Sequence, residues 1–527
     1  MKKKLIAIIL ILSSSIIYSQ IAPQSYKFGS RNFEKGSADN PVSNSILDIV
    51  VVGDTVWLGT SRGLSKSIDG GASWENFSFS GESVTALAYL NGIVYLTTGR
   101  TTEVNGADLQ EGTGLHYSTD QGETWNSVNQ PIDSPADSSV QYGINTLRAL
   151  PVTTTINNIT YDIAATTNTI WISSFAGGLR KSTDLGATWQ RVVLPPDNLD
   201  EIYPDSTYNF ALQPVAGNFG TDNNLNHRVF SVAAANDSTI YVGTAGGVNR
   251  GDIDLQSGNI SWKKSNHTNQ TFPISGNFVT ALGVNNANNT VWAATWKAEG
   301  ESEFTAVSSS SNGGASWEIH LTGEKAHNFG FKNYLQSGNQ FTDVAAATDN
   351  GLFRSFQNNF DTWISPTDIV DGNNQVPILQ NIFFSVGFQN FNNQEIVWLG
   401  SGGEGLARLT EGNGRWQGDW VVLFASQPLE SIEESYAFPN PFSPNLDYTR
   451  IKYSTGQSSG SVTIRILDFG MNLVRTLIQN ADKSDGEQFE FWNGRDEAGS
   501  IVANGVYFYR IDIDSKEPVF GKIMVIR

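Results

Sequence analysis

One apolar pattern returns along most of the chain. A short β-branched and aromatic run closes on small residues, as in Val56-Trp57-Leu58-Gly59-Thr60. It recurs at Val94 to Thr98, Ile170 to Ser174, Ile240 to Thr244, Val291 to Thr295, Val344 to Thr348 and Val397 to Ser401. The spacings are 38, 76, 70, 51, 53 and 53 residues. Gly-Leu or Gly-Val follows most copies, at Gly63, Gly114, Gly178, Gly247, Gly351 and Gly405. Several copies follow another alternating run, such as Val84-Thr85-Ala86-Leu87 or Val279-Thr280-Ala281-Leu282. Gly, Asn and Asp separate the runs, and no helical period of useful length intervenes.

Each unit is therefore a set of three or four short strands. One such sheet cannot bury both faces, so neighbours must stack around an axis. The expected fold class is all-β, a seven-bladed β-propeller over residues 21–430. Six or eight blades remain open, because the sixth and seventh units are degenerate.

A second pattern overlies the first. Ser67, Asp69, Gly71 and Trp74 stand at fixed offsets. The frame repeats as Ser118, Asp120, Gly122 and Trp125, and again as Ser182, Asp184, Gly186 and Trp189. A fourth copy, Ser310, Asn312, Gly314 and Trp317, carries Asn for Asp, and a worn version runs from Ser355 to Trp363. The Asp can accept backbone N–H bonds within its own turn, and Gly supplies a positive φ. This frame resembles the Asp-box (BNR repeat) of sialidase-like, sortilin-like and xyloglucanase-like propellers. The resemblance implies a structural hairpin with its Trp packed between strands, not a catalytic or metal-binding Asp.

Two segments stand outside the repeat. Lys2 to Lys4, the apolar Leu5 to Leu12 and the serines from Ser13 to Ser19 read as a secretory signal peptide, residues 1–20, cleaved near Ser19–Gln20. The run is too interrupted to span a bilayer, and no transmembrane helix is expected in the mature chain. From about Ser435 come Pro439-Asn440-Pro441-Phe442, alternating strands at 449–453 and 461–468, Trp492-Asn493-Gly494-Arg495-Asp496 and Gly505-Val506-Tyr507-Phe508-Tyr509-Arg510. These predict a small β-sandwich over residues 435–527. They resemble the FlgD-like immunoglobulin-like (Ig-like) domain and the C-terminal sorting domain of type IX secretion cargo. That resemblance implies a Bacteroidetes-type bacterium, Sec export, and the type IX secretion machinery as partner. The protein would then be extracellular or on the cell surface. An accessory sandwich kept on the mature protein is the other reading.

Composition narrows the chemistry. The chain of 527 residues has no cysteine, so it has no disulfide, no Cys-ligated metal, no thiol nucleophile and no lipid-accepting Cys. Its 52 Asp+Glu against 33 Lys+Arg argue against nucleic-acid binding. Chain order places five insertions on the face away from the Asp-boxes: 99–113, 129–143, 193–226, 296–309 and 366–377. Only 151–161 falls on the other side. The five hold 15 acidic and two basic residues, with aromatics interleaved. Carboxylates beside aromatics suit sugar stacking, a basic partner or a Ca²⁺ ion. A solvated acidic rim is the bland alternative. The binding candidates are Trp296, Glu299, Glu301, Asp197, Asp200, Tyr203 and Tyr208, with Trp296 foremost.

No catalytic residue is assigned. The Phe/Tyr-Arg-Ile-Pro signature of sialidases is absent, and the five histidines show no metal-ligand spacing. The expected function is a secreted or surface binding module for a glycan or protein ligand, with no cofactor beyond a Ca²⁺ ion. The alternative is a glycoside hydrolase or lyase using a loop carboxylate pair. A scaffold in the secretion machinery is a third reading.

Overall fold

The computed structural model describes residues 36–214, 224–372, 377–425, 429, 431, 433–445 and 448–527. The proposed signal segment and Asp222 lie outside them. The chain divides into two compact units, one over Asn32–Ser426 and one built mainly from Gln427–Arg527.

The larger unit is a β-propeller. Among the described residues, seven antiparallel sheets follow one another, each built on four sequence-consecutive strands running from inside to outside, with a fifth strand on the outer edge of the first (Gly36–Ala38) and the fourth (Glu201–Ile202). Their inner strands are Ile46–Val52, Ser83–Leu90, Thr160–Thr166, Val229–Asn236, Phe278–Asn285, Ala326–Gln336 and Phe383–Phe391. Each inner strand lies against the next, and the seventh lies against the first, so the ring closes. The repeated Val-Trp-Leu-Gly-Thr core is the second strand of every sheet. Its small positions answer to crowding: a Cβ on Gly59 would sit 2.9 Å from Val84 Cγ1 of the next sheet.

All seven inner strands carry a β-bulge at the same place. The register skips one residue between Ile46 and Asp48, Val84 and Ala86, Thr160 and Asp162, and Val229 and Ser231. It does so again between Val279 and Ala281, Ala326 and Asn328, and Phe383 and Ser385. A bulge bends its strand and re-aims a side chain. The skipped residues form one tier around the axis: Leu47, Thr85, Tyr161, Phe230, Thr280, His327 and Phe384.

The Ser-Asp-Gly-Trp segments are turns between third and outer strands. In the first, Gly71 N donates to Ser67 Oγ at 2.9 Å, and Ser73 N donates to Asp69 Oδ1 at 3.0 Å. The serine bond recurs in the other three. Gly122 N donates to Ser118 Oγ at 2.7 Å, Gly186 N to Ser182 Oγ at 2.8 Å, and Gly314 N to Ser310 Oγ at 2.9 Å. The carboxylate bond recurs through Asp120 and Asp184, which accept from Thr124 N at 2.9 Å and Thr188 N at 2.8 Å. Asn312 keeps the geometry, accepting from Ser316 N at 3.0 Å. Gly71, Gly122, Gly186 and Gly314 all hold φ near +90°, at 87°, 91°, 87° and 90°. A side chain there would strain each turn in the same way.

The position of the Trp rings is a correction. Trp74, Trp125, Trp189 and Trp317 pack between sheets rather than between strands of one hairpin. Trp74 meets Trp398 edge-on at 6.0 Å, and Trp125 meets Trp57 at 6.4 Å. Both partners lie on the second strand of the preceding sheet. T-shaped pairs of this kind are favoured by the ring quadrupole. Trp189 joins a cluster with Tyr95 and Leu115 of the second sheet. Trp317 is buried in a cluster with Tyr241 and Val248 of the fourth. The physical reason is that a hairpin's own strands lie side by side in one sheet. The apolar surface each ring can cover belongs to the neighbouring sheet.

Two further expectations are corrected. Ser355 to Trp363 is no fifth copy: Gly351–Phe356 and Asn359–Ile364 join through Gln357-Asn358, both at positive φ, a tight two-residue hairpin. Residues 151–159 do not lie on the opposite face. They continue the same outer-to-inner connection as 129–143, because Asn145–Ala149 is not an inner strand; it pairs with Ser139–Tyr142 and Ala211–Leu212.

The sixth sheet has Ala345 where other sheets have a second-strand aromatic, so its junction with the seventh is built differently. Arg354 is fully buried, bonded to Asp343 at 2.8 Å and Glu411 at 2.6 Å, and stacked 5.0 Å from Phe388. Lys332 joins Glu411 at 3.2 Å.

In the smaller unit, a three-stranded sheet (Tyr436–Phe438, Thr449–Ser454, Glu487–Trp492) shares one core with a four-stranded sheet. Ile451, Tyr453 and Trp492 from the first meet Val462, Ile464, Tyr509 and Ile523 from the second. Asn440 ties the Pro-rich segment to the last strand, donating to Lys522 O and accepting from Met524 N, both at 2.8 Å.

Replacing Arg354 by Ala strands Asp343 and Glu411 as buried charges. Chemical denaturation of the full chain should show the propeller transition destabilised by about 3–5 kcal/mol. An unchanged midpoint would contradict the role assigned to this junction.

Candidate functional site

The bulges build a site on the propeller axis. A cavity of about 370 Å³ runs between the inner strands. Its lining includes Leu47, Asp48, Thr85, Tyr161, Asp162, Thr280, His327 and Asn328. The residue after each bulge forms a second tier: Asp48, Ala86, Asp162, Ser231, Ala281, Asn328 and Ser385. Only two of these seven are ionisable, and they flank the small Ala86.

Each carboxyl bridges to the next sheet or across the channel. Asp162 Oδ2 accepts from Val232 N at 2.9 Å, and its Oδ1 accepts from Ile163 N at 2.8 Å. Asp48 Oδ1 accepts from Ile49 N at 2.9 Å and from Asn328 Nδ2 at 3.2 Å. The main chain of Leu87 bonds Asp48 as well. Neither acid is in an ion pair with Lys, Arg or His among the described residues. Both are half-buried at the channel wall but surrounded by protein at longer range. Burial pushes Asp48 up to about 6, against the hydrogen bonds that favour its charge. Burial pushes Asp162 up to about 8, and the neighbouring Asp48 charge adds to the rise.

Aromatic rings crowd the end of the channel where the bulges lie. Tyr161 and Phe230 are 5.5 Å apart, Phe230 and Phe278 4.6 Å, and Phe278 and Trp296 5.9 Å. Trp296 and His327 follow at 5.9 Å, then His327 and Phe384 at 5.3 Å. The arc spans the third to seventh sheets, and all six rings are half-buried. Strand direction puts this mouth on the side of the five insertions, away from the Ser-Asp-Gly-Trp turns. The insertions touch one another there: Glu111 pairs with Ile156, and Asn157 N donates to Gln110 O at 2.7 Å.

Trp296 thus belongs to the arc of rings, of which Tyr161 and His327 line the cavity itself. The other sequence candidates do not join it in one cluster. Glu299 and Glu301 are exposed beyond Trp296 on the same loop. Glu303 beside them is buried and braces that loop, accepting from Asn277 N at 3.0 Å and Ala298 N at 2.8 Å. Asp197 caps a short turn through Leu225 N at 2.8 Å and Asn226 N at 2.7 Å. Tyr208 OH accepts from Tyr203 N at 2.9 Å, and Tyr203 OH donates to Glu201 at 2.7 Å. Asp200 is exposed on this connection, between the third and fourth sheets. Asp133 holds a buried bidentate pair with Arg180 at 2.8 and 2.9 Å. Much of the insertion charge therefore fastens loops.

The five histidines are all engaged. Buried His227 accepts from Gln213 N at 3.0 Å, and its Nε2 lies 3.1 Å from Leu194 O. Burial pushes it down to about 4, so it stays neutral. His327 Nε2 is 2.7 Å from Asp349 Oδ1. No group of three or more His, Asp or Glu side chains suited to a metal lies together among the described residues.

Asp48, Asp162 and five of the six rings are absent from the sequence candidates. Their signal is present only once the inner strands are aligned at the bulge: Leu47-Asp48, Thr85-Ala86, Tyr161-Asp162, Phe230-Ser231, Thr280-Ala281, His327-Asn328, Phe384-Ser385.

No protein-family model matches the chain, and no curated protein matches it. Solved structures share low identity with it. PorZ, a bacterial surface component of the type-IX secretion system of Porphyromonas gingivalis, is 15% identical, with a TM-score of 0.38, over 92% of this chain and 66% of its own. An ancestral GH74 enzyme is 14% identical, with a TM-score of 0.38, over 70% of this chain and 48% of its own. The WD40 beta propeller domain of Doa1 is 9% identical, with a TM-score of 0.36, over 71% and 96%. The chain thus spans about two thirds of the first and half of the second. The propeller assignment rests on the sheets themselves. Among the described residues, no helix is long and apolar enough to cross a membrane.

The channel acids set a pH dependence. Folded Asp162 keeps a proton that the unfolded carboxyl, at its ordinary 3.8, has released. Its contribution to stability is complete below that value and is lost as pH rises through about 8. His227 acts oppositely: its contribution is complete above its ordinary 6.5 and is lost as pH falls towards about 4. The clean window is therefore from about pH 7 to about pH 9. Across it the wild-type melting temperature should fall by about 1–2 degrees, and Asp162→Asn should remove that slope. Equal slopes in thermal melts would contradict the protonated Asp162.

Proposed function

We propose that this is an exported binding protein: a seven-bladed Asp-box propeller carrying an Ig-like C-terminal sorting domain, with a glycan or protein ligand held at the channel mouth. The observation that carries the reading is the arc of six half-buried rings, Tyr161 to Phe384, open on the side where the insertions gather. Aromatic faces with polar groups close by suit both sugar stacking and an inserted peptide. The Pro-Asn-Pro-Phe segment and the Trp-Asn-Gly-Arg-Asp turn support the address, by resemblance to type IX secretion cargo. A place in the surface machinery of that system is a related reading, resting on the same tail motifs. The bound Ca²⁺ considered from the sequence gains no ligand set among the described residues.

A second reading, a polysaccharide hydrolase, draws on a specific observation. Two acids facing one cavity with separated proton affinities, about 6 and about 8, are the arrangement expected of an acid/base pair. Their bonds to main-chain N–H groups of the inner strands favour a structural use.

A glycan array and a surface-protein pull-down with the full chain, with and without Ca²⁺, test the binding role. Ligand capture should fall at least tenfold in Trp296→Ala and Phe230→Ala. Capture unaffected by both would move the site elsewhere, and product release lost in Asp162→Asn would favour the hydrolase. For the address, intact mass of secreted protein should show a start near Gln20 and loss of the tail. A secreted form still ending at Arg527 would rule out a cleaved sorting domain.

A further inference from the structure

The channel beneath the rings has a charge imbalance that the binding role leaves unexplained. Its lining holds Asp48 and Asp162 but no Lys or Arg. Among the described residues, each acid is served by N–H donors alone, from backbone amides and Asn328. A carboxylate offers about four acceptor directions, so each retains unused acceptor capacity. Thr280 Oγ1, also on the lining, is buried and has no hydrogen-bond partner among the described residues. The cavity, about 370 Å³, is at the small end of ligand pockets, roughly 300–1,000 Å³.

The mouth above is built for the same charge. Aromatic faces attract cations within about 6 Å of the ring centre. Two cations already sit on rings of this region: Lys325 Nζ is 5.1 Å from the Trp296 ring, and Arg228 is 5.2 Å from Phe175, whose ring lies 6.2 Å from that of Phe230. Both lie outside the channel lining.

We propose that the channel takes an alkylammonium group on a slender chain, which passes the rim of Tyr161, Phe230, Trp296 and Phe384 and ends between Asp48 and Asp162. The ammonium supplies up to three donors to the spare carboxylate positions. It also supplies the charge whose absence makes two half-buried acids costly in one cavity. A lysine side chain on a partner's loop and a free polyamine share this chemistry. This inference rests on the proposed binding role and narrows it to the class of group that enters the channel.

Entry of the cation should displace protons from the acids. The titratable groups facing the cavity are Asp48, Asp162, Tyr161 and His327, the last tied to Asp349. Binding should therefore strengthen with pH while the amine stays charged.

The test is calorimetric titration of the full chain with n-butylammonium, N-butylacetamide as its neutral counterpart, putrescine, and a tripeptide with a central lysine. Butylammonium should bind, and the neutral amide should not. Affinity should rise at least tenfold from about pH 6 to about pH 8.5. The double variant Asp48→Asn/Asp162→Asn should lose at least tenfold, and Trp296→Ala several-fold. Tighter binding of the tripeptide points to a partner's lysine, and tighter binding of putrescine to a free polyamine; either supports the inference. Equal binding of amine and amide by the wild-type chain overturns it, whatever the variants do. So does undiminished amine binding by a folded double variant, or no amine binding at all. If the glycan array or pull-down still succeeds at the aromatic rim, only the cation falls. If amines bind and both screens fail, the cation stands and the wider reading falls.

Discussion

Everything in the larger unit depends on closing a ring of sheets that cannot survive singly. A four-stranded sheet has two apolar faces, and each must be covered by a neighbour. The last junction, between the seventh and first sheets, is made without exchanging a strand. Asn44 bonds both ways with Ala425, at 2.8 and 2.6 Å, and Gly405 N donates to Asn44 O at 2.8 Å. Ser385 Oγ donates to Ile46 O at 3.1 Å, and Arg408 reaches Gly70 O at 2.9 Å. Trp74 against Trp398 then repeats the aromatic contact found at other junctions. Among the described residues, the closing seam is chemically like the other aromatic junctions, and no strand is exchanged across it.

That uniformity explains why so much of the architecture is legible in the sequence. Second strands face the same crowding in every sheet, so the same small and aromatic residues recur, and spacing alone exposes them. The Ser-Asp-Gly-Trp turns recur because Ser Oγ and the Asp carboxylate satisfy the same main-chain donors each time. What spacing cannot show is where the turn's ring goes, since Trp189 and Trp317 find their partners a whole sheet away. Legibility also fails where a junction solves the problem by other means. Arg354 with Asp343 and Glu411 replaces an aromatic pair, and nothing in the local sequence marks those three as partners. The stretch at 145–149 has strand composition, yet its partners are a hairpin and a distant segment, which pattern cannot reveal.

The site is less legible for a related reason. Long loops rich in acid stand out in the sequence, yet many of those acids fasten the loops. Asp197 and Glu303 are consumed by main-chain N–H groups of the connections, and Asp133 by Arg180 on the third sheet. Trp296 is legible because a large aromatic at a strand end is conspicuous. Asp48 and Asp162 sit inside strands, where an alternating pattern hides one polar residue among many. Only the shared bulge reveals that they occupy equivalent positions and face one space.

The seven-fold bulge separates what the ring must keep from what it can change. Backbone geometry sets the channel's width and the placement of both tiers, while each sheet contributes one side chain to each tier. The channel is thus written in a seven-letter word at each level: Ala86 and Ala281 leave the neighbouring backbone untouched, whereas Asp162 and Ser385 are bonded to the main chain of the next sheet. A scaffold of this kind can exchange an acidic lining for a neutral or basic one by a few substitutions, keeping its architecture while its ligand chemistry moves.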